Sequence, residues 1–116
     1  MSVKNSVKAI PMTIFAGASL TNAYQAGTTP LPNPCIIFKI VNNSSKDVTI
    51  SYDGTTDHDY VPAGTVLLYN FQANSQPNNF VCSLAASTII YVKAVAGAGT
   101  GSVYIIGYYQ ATNSVI

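Results

Sequence analysis

Apolar residues in this chain recur at every second position, and no stretch of useful length carries the three-to-four-residue spacing of a helix. The clearest case is 47–53, where Val48, Ile50 and Tyr52 fall on one side and Thr49, Ser51 and Asp53 on the other. Side chains of a strand alternate between its two faces, so this pattern is that of a half-buried strand. Clusters of Gly, Pro, Asn and Asp cut the chain every ~8–12 residues, the spacing of short strands joined by tight turns. The cuts predict strands over 7–15, 19–26, 35–41, 47–53, 58–61, 65–72, 79–84, 88–96 and 102–110. At 116 residues there is material for one core. The expected fold is all-β: one compact sandwich spanning 1–116, of eight or nine antiparallel strands in a jelly-roll-like topology.

The connections have their own chemistry. Residues 42–46, Asn-Asn-Ser-Ser-Lys, read as a polar hairpin loop, since Asn tolerates the left-handed backbone conformation. Gly54, after Asp53, is the expected site of a positive φ. Pro62-Ala63-Gly64 is a turn, and the Gly-rich 97–101 is a flexible hairpin tip. Residues 27–34 carry Pro30, Pro32 and Pro34, which forbid helix and oppose ladder pairing, so they form an extended crossing loop. Residues 1–6 are polar and read as an N-terminal arm that orders on docking. Lys4 and Lys8 followed by 9–20 imitate a secretory leader. Pro11, Thr13 and Ser19 interrupt that stretch, and the alternation of Ile10, Met12 and Ile14 is that of a strand.

Charged residues make up 8% of the chain, against ~25% in ordinary globular proteins. Hydrophobic residues make up 48%, which excludes the low-hydrophobicity, high-charge composition of a disordered chain. A soluble monomer keeps a charged surface against association. A chain this neutral, with eight tyrosines, is expected to have much of its surface covered, in a homo-oligomer or a lattice. There is no Arg and the five Lys are scattered, which speaks against nucleic acid as a partner. No apolar run approaches the ~20 residues that cross a bilayer, so no membrane partner is expected. Cys35 and Cys82 lie in apolar strand-like runs and are expected as buried thiols, able to pair only if their strands are neighbours. Without His partners they make no zinc site.

Catalytic chemistry has little to work with. There is one His and there is no Glu. His58 sits between Asp57 and Asp59, but neighbours along a strand point to opposite faces and cannot both flank its ring. Asp53, Asp57 and Asp59 gather in one segment, yet Asp and Gly are what tight turns demand, and the spacing is not that of a calcium loop. No catalytic residue, cofactor or metal is therefore expected. The tyrosines carry more information. In 103–109, Val-Tyr-Ile-Ile-Gly-Tyr-Tyr, both faces are bulky and apolar, and a strand covered on both sides needs a second layer from its own fold or from a neighbour. Tyr is also enriched at contact cores.

The run Asp47-Val-Thr-Ile-Ser-Tyr-Asp-Gly-Thr-Thr-Asp-His-Asp-Tyr-Val-Pro-Ala-Gly-Thr65 resembles small virion structural proteins of tailed bacteriophages. So do Thr88-Ile-Ile-Tyr-Val-Lys93 and Gly101-Ser-Val-Tyr-Ile-Ile-Gly-Tyr-Tyr-Gln110. Size and a single β domain make the likeness greatest to capsid decoration, or cement, proteins. The resemblance implies a non-enzymatic protein made in the host cytoplasm. It would sit on the outer capsid surface of the virion and clamp neighbouring copies of the major capsid protein. It carries over no site residue. The residues offered as an interface are Lys4 on the arm, Pro30 and Pro32 on the crossing loop, and Tyr104, Tyr108 and Tyr109 on the last strand. The alternatives are a neck or tail component of the virion, and a glycan-binding sandwich module.

Overall fold

The computed structural model describes residues 2–28, 30–71 and 84–115. Nine strands run through them: β1 (Ser2–Ala9), β2 (Thr13–Ala16), β3 (Gln25–Ala26), β4 (Cys35–Ser44), β5 (Val48–Ser51), β6 (Asp59–Val61), β7 (Val66–Asn70), β8 (Tyr91–Lys93) and β9 (Gly101–Val115). Within this order β2 pairs β9, β3 pairs β8, β4 pairs β7 and β5 pairs β6, all antiparallel. The four pairs nest as successive rungs of one long hairpin that has rolled into two sheets. The first sheet has the order β1-β9-β4-β7, with β2 joined to β9, and the second β3-β8-β5-β6. The fold is an all-β sandwich with the jelly-roll order of strands.

The alternation that predicts the strands also fills the space between the sheets. Phe38, Ile40, Val103 and Ile105 of the first sheet meet Val48, Ile50, Val61 and Val92 of the second, all nearly inaccessible to solvent. Each such side chain stabilises the fold by ~1.5–3 kcal/mol relative to exposure. Two buried positions are polar. Asn42 donates from Nδ2 to the carbonyls of Lys46 and Val61 at 2.8 Å each, and its Oδ1 accepts from the Ser44 N–H and hydroxyl. Every hydrogen-bonding group of that amide is satisfied, so its burial carries no desolvation deficit. The 42–46 segment is thus only partly loop: β4 runs on through Ser44, with Asn42 turned inward.

Where the strands differ from expectation, local chemistry gives the reason. The expected 7–15 strand is split, because Pro11 has no N–H for the ladder. Pairing resumes one residue out of step: Ala9 faces Tyr108 whereas Thr13 faces Ile105, so Ile10–Met12 form a bulge against β9. Residues 1–6, expected as an arm, are instead strand from Ser2 onward, paired with the end of β9. Of the expected 19–26 strand only β3 remains. Gly17–Ser19 is a 3-10 turn, and the Thr21 hydroxyl bonds the Ala23 backbone, which competes with the ladder. The 27–34 loop does make ladder-like bonds: Leu31 donates to the Thr88 carbonyl at 2.9 Å and accepts from the Ser87 N–H at 2.8 Å. The 97–101 tip is tied down, with Gly99 bonded to Gly17 and Ser45 exchanging bonds with Thr100. Gly54 takes the expected positive φ of 86°. Cys35 is a buried free thiol whose pKa burial pushes up, while Cys82 and the 79–83 part of one expected strand lie outside the described residues.

Candidate functional site

The two outer faces of the sandwich differ in chemistry, and register alone places their residues. On the first sheet Ile14 faces Tyr104, Tyr104 faces Val41, and Val41 faces Val66. Cross-strand partners share a face, so these four form one outward row. The next row is Ile106, Lys39 and Leu68, and the one after it Ala9, Tyr108, Ile37 and Asn70. Nearly every side chain is apolar or aromatic, and Lys39 stands at the centre as the one charge. Ile14, Val66 and Leu68 are 58%, 56% and 59% exposed. Among the described residues no element packs over this face.

The second sheet presents the opposite character. Thr49 lies between Tyr60 and Lys93, all pointing outward. Lys93 pairs with Asp57 at 3.1 Å and stands 4.5 Å over the Tyr24 ring, whose hydroxyl donates to Asp57. Tyr60 is 59% exposed and is pinned through its hydroxyl to Asp47 at 2.7 Å. Shallow concavities of about 330 and 410 Å³ flank its ring, the first lined by Ser45, Lys46 and Asp47, the second by Asp57, His58 and Asp59.

The Asp-rich loop between β5 and β6 is organised as a turn. Asp53 accepts from the Thr55 and Thr56 N–H groups at 2.8 Å each and from the Ser51 hydroxyl. His58 Nδ1 accepts from the Tyr52 N–H at 3.0 Å, which ties the two ends of the loop together. Asp59 turns inward at the rim and accepts from Tyr52 at 2.6 Å and from Tyr69 of the other sheet at 2.8 Å. Among the described residues no three metal-binding side chains converge.

These Tyr–Asp bonds need a neutral phenol and an ionised carboxylate, so they bound the pH range of full stability. The Ala63 N–H and the Tyr60 hydroxyl hold Asp47 below its usual range, the Thr56 and Thr55 N–H groups hold Asp53 far below it, and Tyr24 and Lys93 lower Asp57. Burial, then the bond to Asp59, pushes Tyr52 well up; burial, then Asp57, does so for Tyr24. Lowered carboxylates stabilise above their unfolded pKa near ~4, and that part is lost as pH falls through the folded values. Raised phenols stabilise below ~10, and that part is lost as pH rises through the folded values. Thermal unfolding is expected to show a plateau between ~pH 4 and ~pH 8.5, with an acid fall from the carboxylates and an alkaline fall that begins with the buried Cys35 thiol and steepens with the phenols. Tyr52→Phe should make the alkaline fall shallower; an identical fall in that variant would rule out the assignment.

Of the residues offered as an interface, Tyr104 and Tyr108 share the apolar face. Tyr109 turns the other way and packs against the core, because it shares the inward parity of Val103 and Ile105 along β9. Pro30 and Pro32 are exposed and line a small pocket with Ile10, Pro11 and Leu31. Lys4 lies on β1 opposite Asn113. The structure adds Ile14, Ile37, Lys39, Val41, Val66, Leu68 and Ile106. For Ile37, Val41 and Ile106 the sequence signal was the apolar character of both parities in 35–41 and 103–109; Ile14, Lys39, Val66 and Leu68 carried no such signal. No protein-family model and no curated protein matches the chain.

Proposed function

We propose that this chain is a non-enzymatic structural protein of a virion, a capsid decoration protein that lays the outer face of its first sheet on the capsid shell. The observation that carries the reading is that face: four strands' width of Ile, Val, Leu and Tyr over which no described element packs, on a sandwich whose other face is polar. Contiguous apolar patches of this kind mark interaction sites on soluble proteins. A sheet with both faces apolar calls for a second layer, and here a neighbour supplies it. The major capsid protein is the partner in this reading, and the decoration subunits form a homo-oligomer through surfaces other than this face. An ordinary specific contact buries ~800 Å² per partner, and several on one rigid shell act at high effective concentration. The scarcity of charge lowers the desolvation cost of each contact.

Antibody labelling of purified phage particles, viewed by electron microscopy, tests the reading. Label over the whole head is the expected result. Label confined to one vertex or to the tail would move the protein to the neck or tail machinery, and unlabelled particles would remove the virion premise. A glycan-binding role has one observation in its favour: the exposed, pinned Tyr60 ring between two concavities with carboxylates at hand. Loss of a glycan-array signal in Tyr60→Ala would establish it.

A further inference from the structure

The centre of the apolar face is a cation. Lys39 points outward between Ile106 and Leu68, its cross-strand partners, with Ile37 and Val41 two residues away on the same strand. Its stem is half-buried among them. When the face is covered, the ammonium loses water, and a desolvated charge needs a partner of opposite sign.

A second copy of this chain has none to offer on the same face. The chain has four carboxylate side chains in all. Asp47 is held by Tyr60 and the Ala63 N–H, and Asp57 by Tyr24 and Lys93, on the outer side of the second sheet. Asp53 caps the β5–β6 loop and Asp59 lies at the rim, bonded to Tyr52 and Tyr69. Face-to-face pairing about a two-fold axis through the centre of the patch would bring the two Lys39 ammoniums together. An off-centre axis would leave each against apolar side chains. Like charges juxtaposed in an interface disfavour the pairing strongly. Placing one copy's apolar face on another's polar face would reach Asp residues, but a contact between opposite faces of a sandwich repeats as an open stack unless its rotation closes a ring.

We propose that the outer face of the first sheet takes a foreign protein surface, apolar and bearing a carboxylate opposite Lys39, and that Lys39 keeps two copies from closing on each other. This rests on the docking reading above and adds to it the partner's chemistry and the role of one residue. Specificity by a repulsive element of this kind is how an exposed apolar surface stays available to its proper partner.

Analytical ultracentrifugation of the full chain tests it without the partner. Wild type and K39E, each alone, are expected to show no closed face-to-face dimer. An equimolar mixture of the two is expected to form a one-to-one dimer at least tenfold more tightly than either alone. K39L is expected to self-associate at least tenfold more tightly than wild type. Circular dichroism confirms that every variant is folded. A wild-type dimer that is weakened by Ile14→Asp and unchanged by K39L would overturn the role of Lys39 and leave the docking face intact. Open-ended stacks of wild type would overturn it too, because a second copy would then satisfy Lys39. Folded variants that associate in no combination would instead overturn the docking reading itself.

Discussion

Replacing Ile50 with aspartate is expected to leave no folded protein. Ile50 lies in the middle of β5, fully buried, with Val92 and Asp59 as cross-strand partners. The substitution removes ~2–3 kcal/mol of apolar burial. It also places a carboxylate between the sheets with no cation to meet it, at a cost of several kcal/mol more. Domains have ~5–15 kcal/mol in total, so the sum exhausts it. Thr49→Asp, one residue away, points outward beside Lys93 and should leave the fold intact. Soluble expression and far-ultraviolet circular dichroism separate the two. Soluble, folded Ile50→Asp protein would show that the register of β5 is wrong.

Ile14→Asp is expected to abolish attachment to capsids while leaving the chain folded. Ile14 is 58% exposed on β2, so in the free protein the new carboxylate stays in water. On docking it would be buried unpaired. A penalty of ~3–4 kcal/mol corresponds to roughly a hundred- to thousandfold in affinity. Tyr104→Ala, on the neighbouring strand, removes an aromatic anchor and should cost ~2 kcal/mol or more, about thirtyfold. Both are measured by co-sedimentation of purified protein with heads that lack it. Tyr60→Ala, on the opposite face, is the control and should bind as wild type does. Equal binding by Ile14→Asp and wild type would dismiss the first sheet as the contact surface.

Period-two alternation and the regular turn signals were enough to read an all-β sandwich and the strands around 35–41, 47–53 and 102–110. Those signals are local: a strand's two faces and a turn's backbone needs are written in adjacent residues. The positive φ at Gly54 is of the same kind, because Asp-Gly chemistry acts over two residues. Strand ends were less legible. The break at Pro11 and the loss of most of 19–26 depend on which backbone groups find partners far along the chain.

The docking face belongs to the tertiary structure. Ile14, Val41, Val66 and Tyr104 come from four separate strands, and each looks in sequence like ordinary core. What turns them outward is the rolling of the nested hairpin, which sends Phe38, Ile40, Val103 and Ile105 inward and leaves the opposite parity uncovered by any described element. Tyr108 and Tyr109 make the same point within one dipeptide. Both were offered as interface candidates, yet one faces outward and the other lines the core, because successive residues of β9 alternate faces. The sequence by itself determined that this chain is β throughout, poor in charge and rich in tyrosine, since those properties follow from residue type and nearest neighbours. Only the tertiary structure decided which apolar residues share a face and that a single lysine stands at its centre, because long-range strand pairing sets the order and register of the sheets.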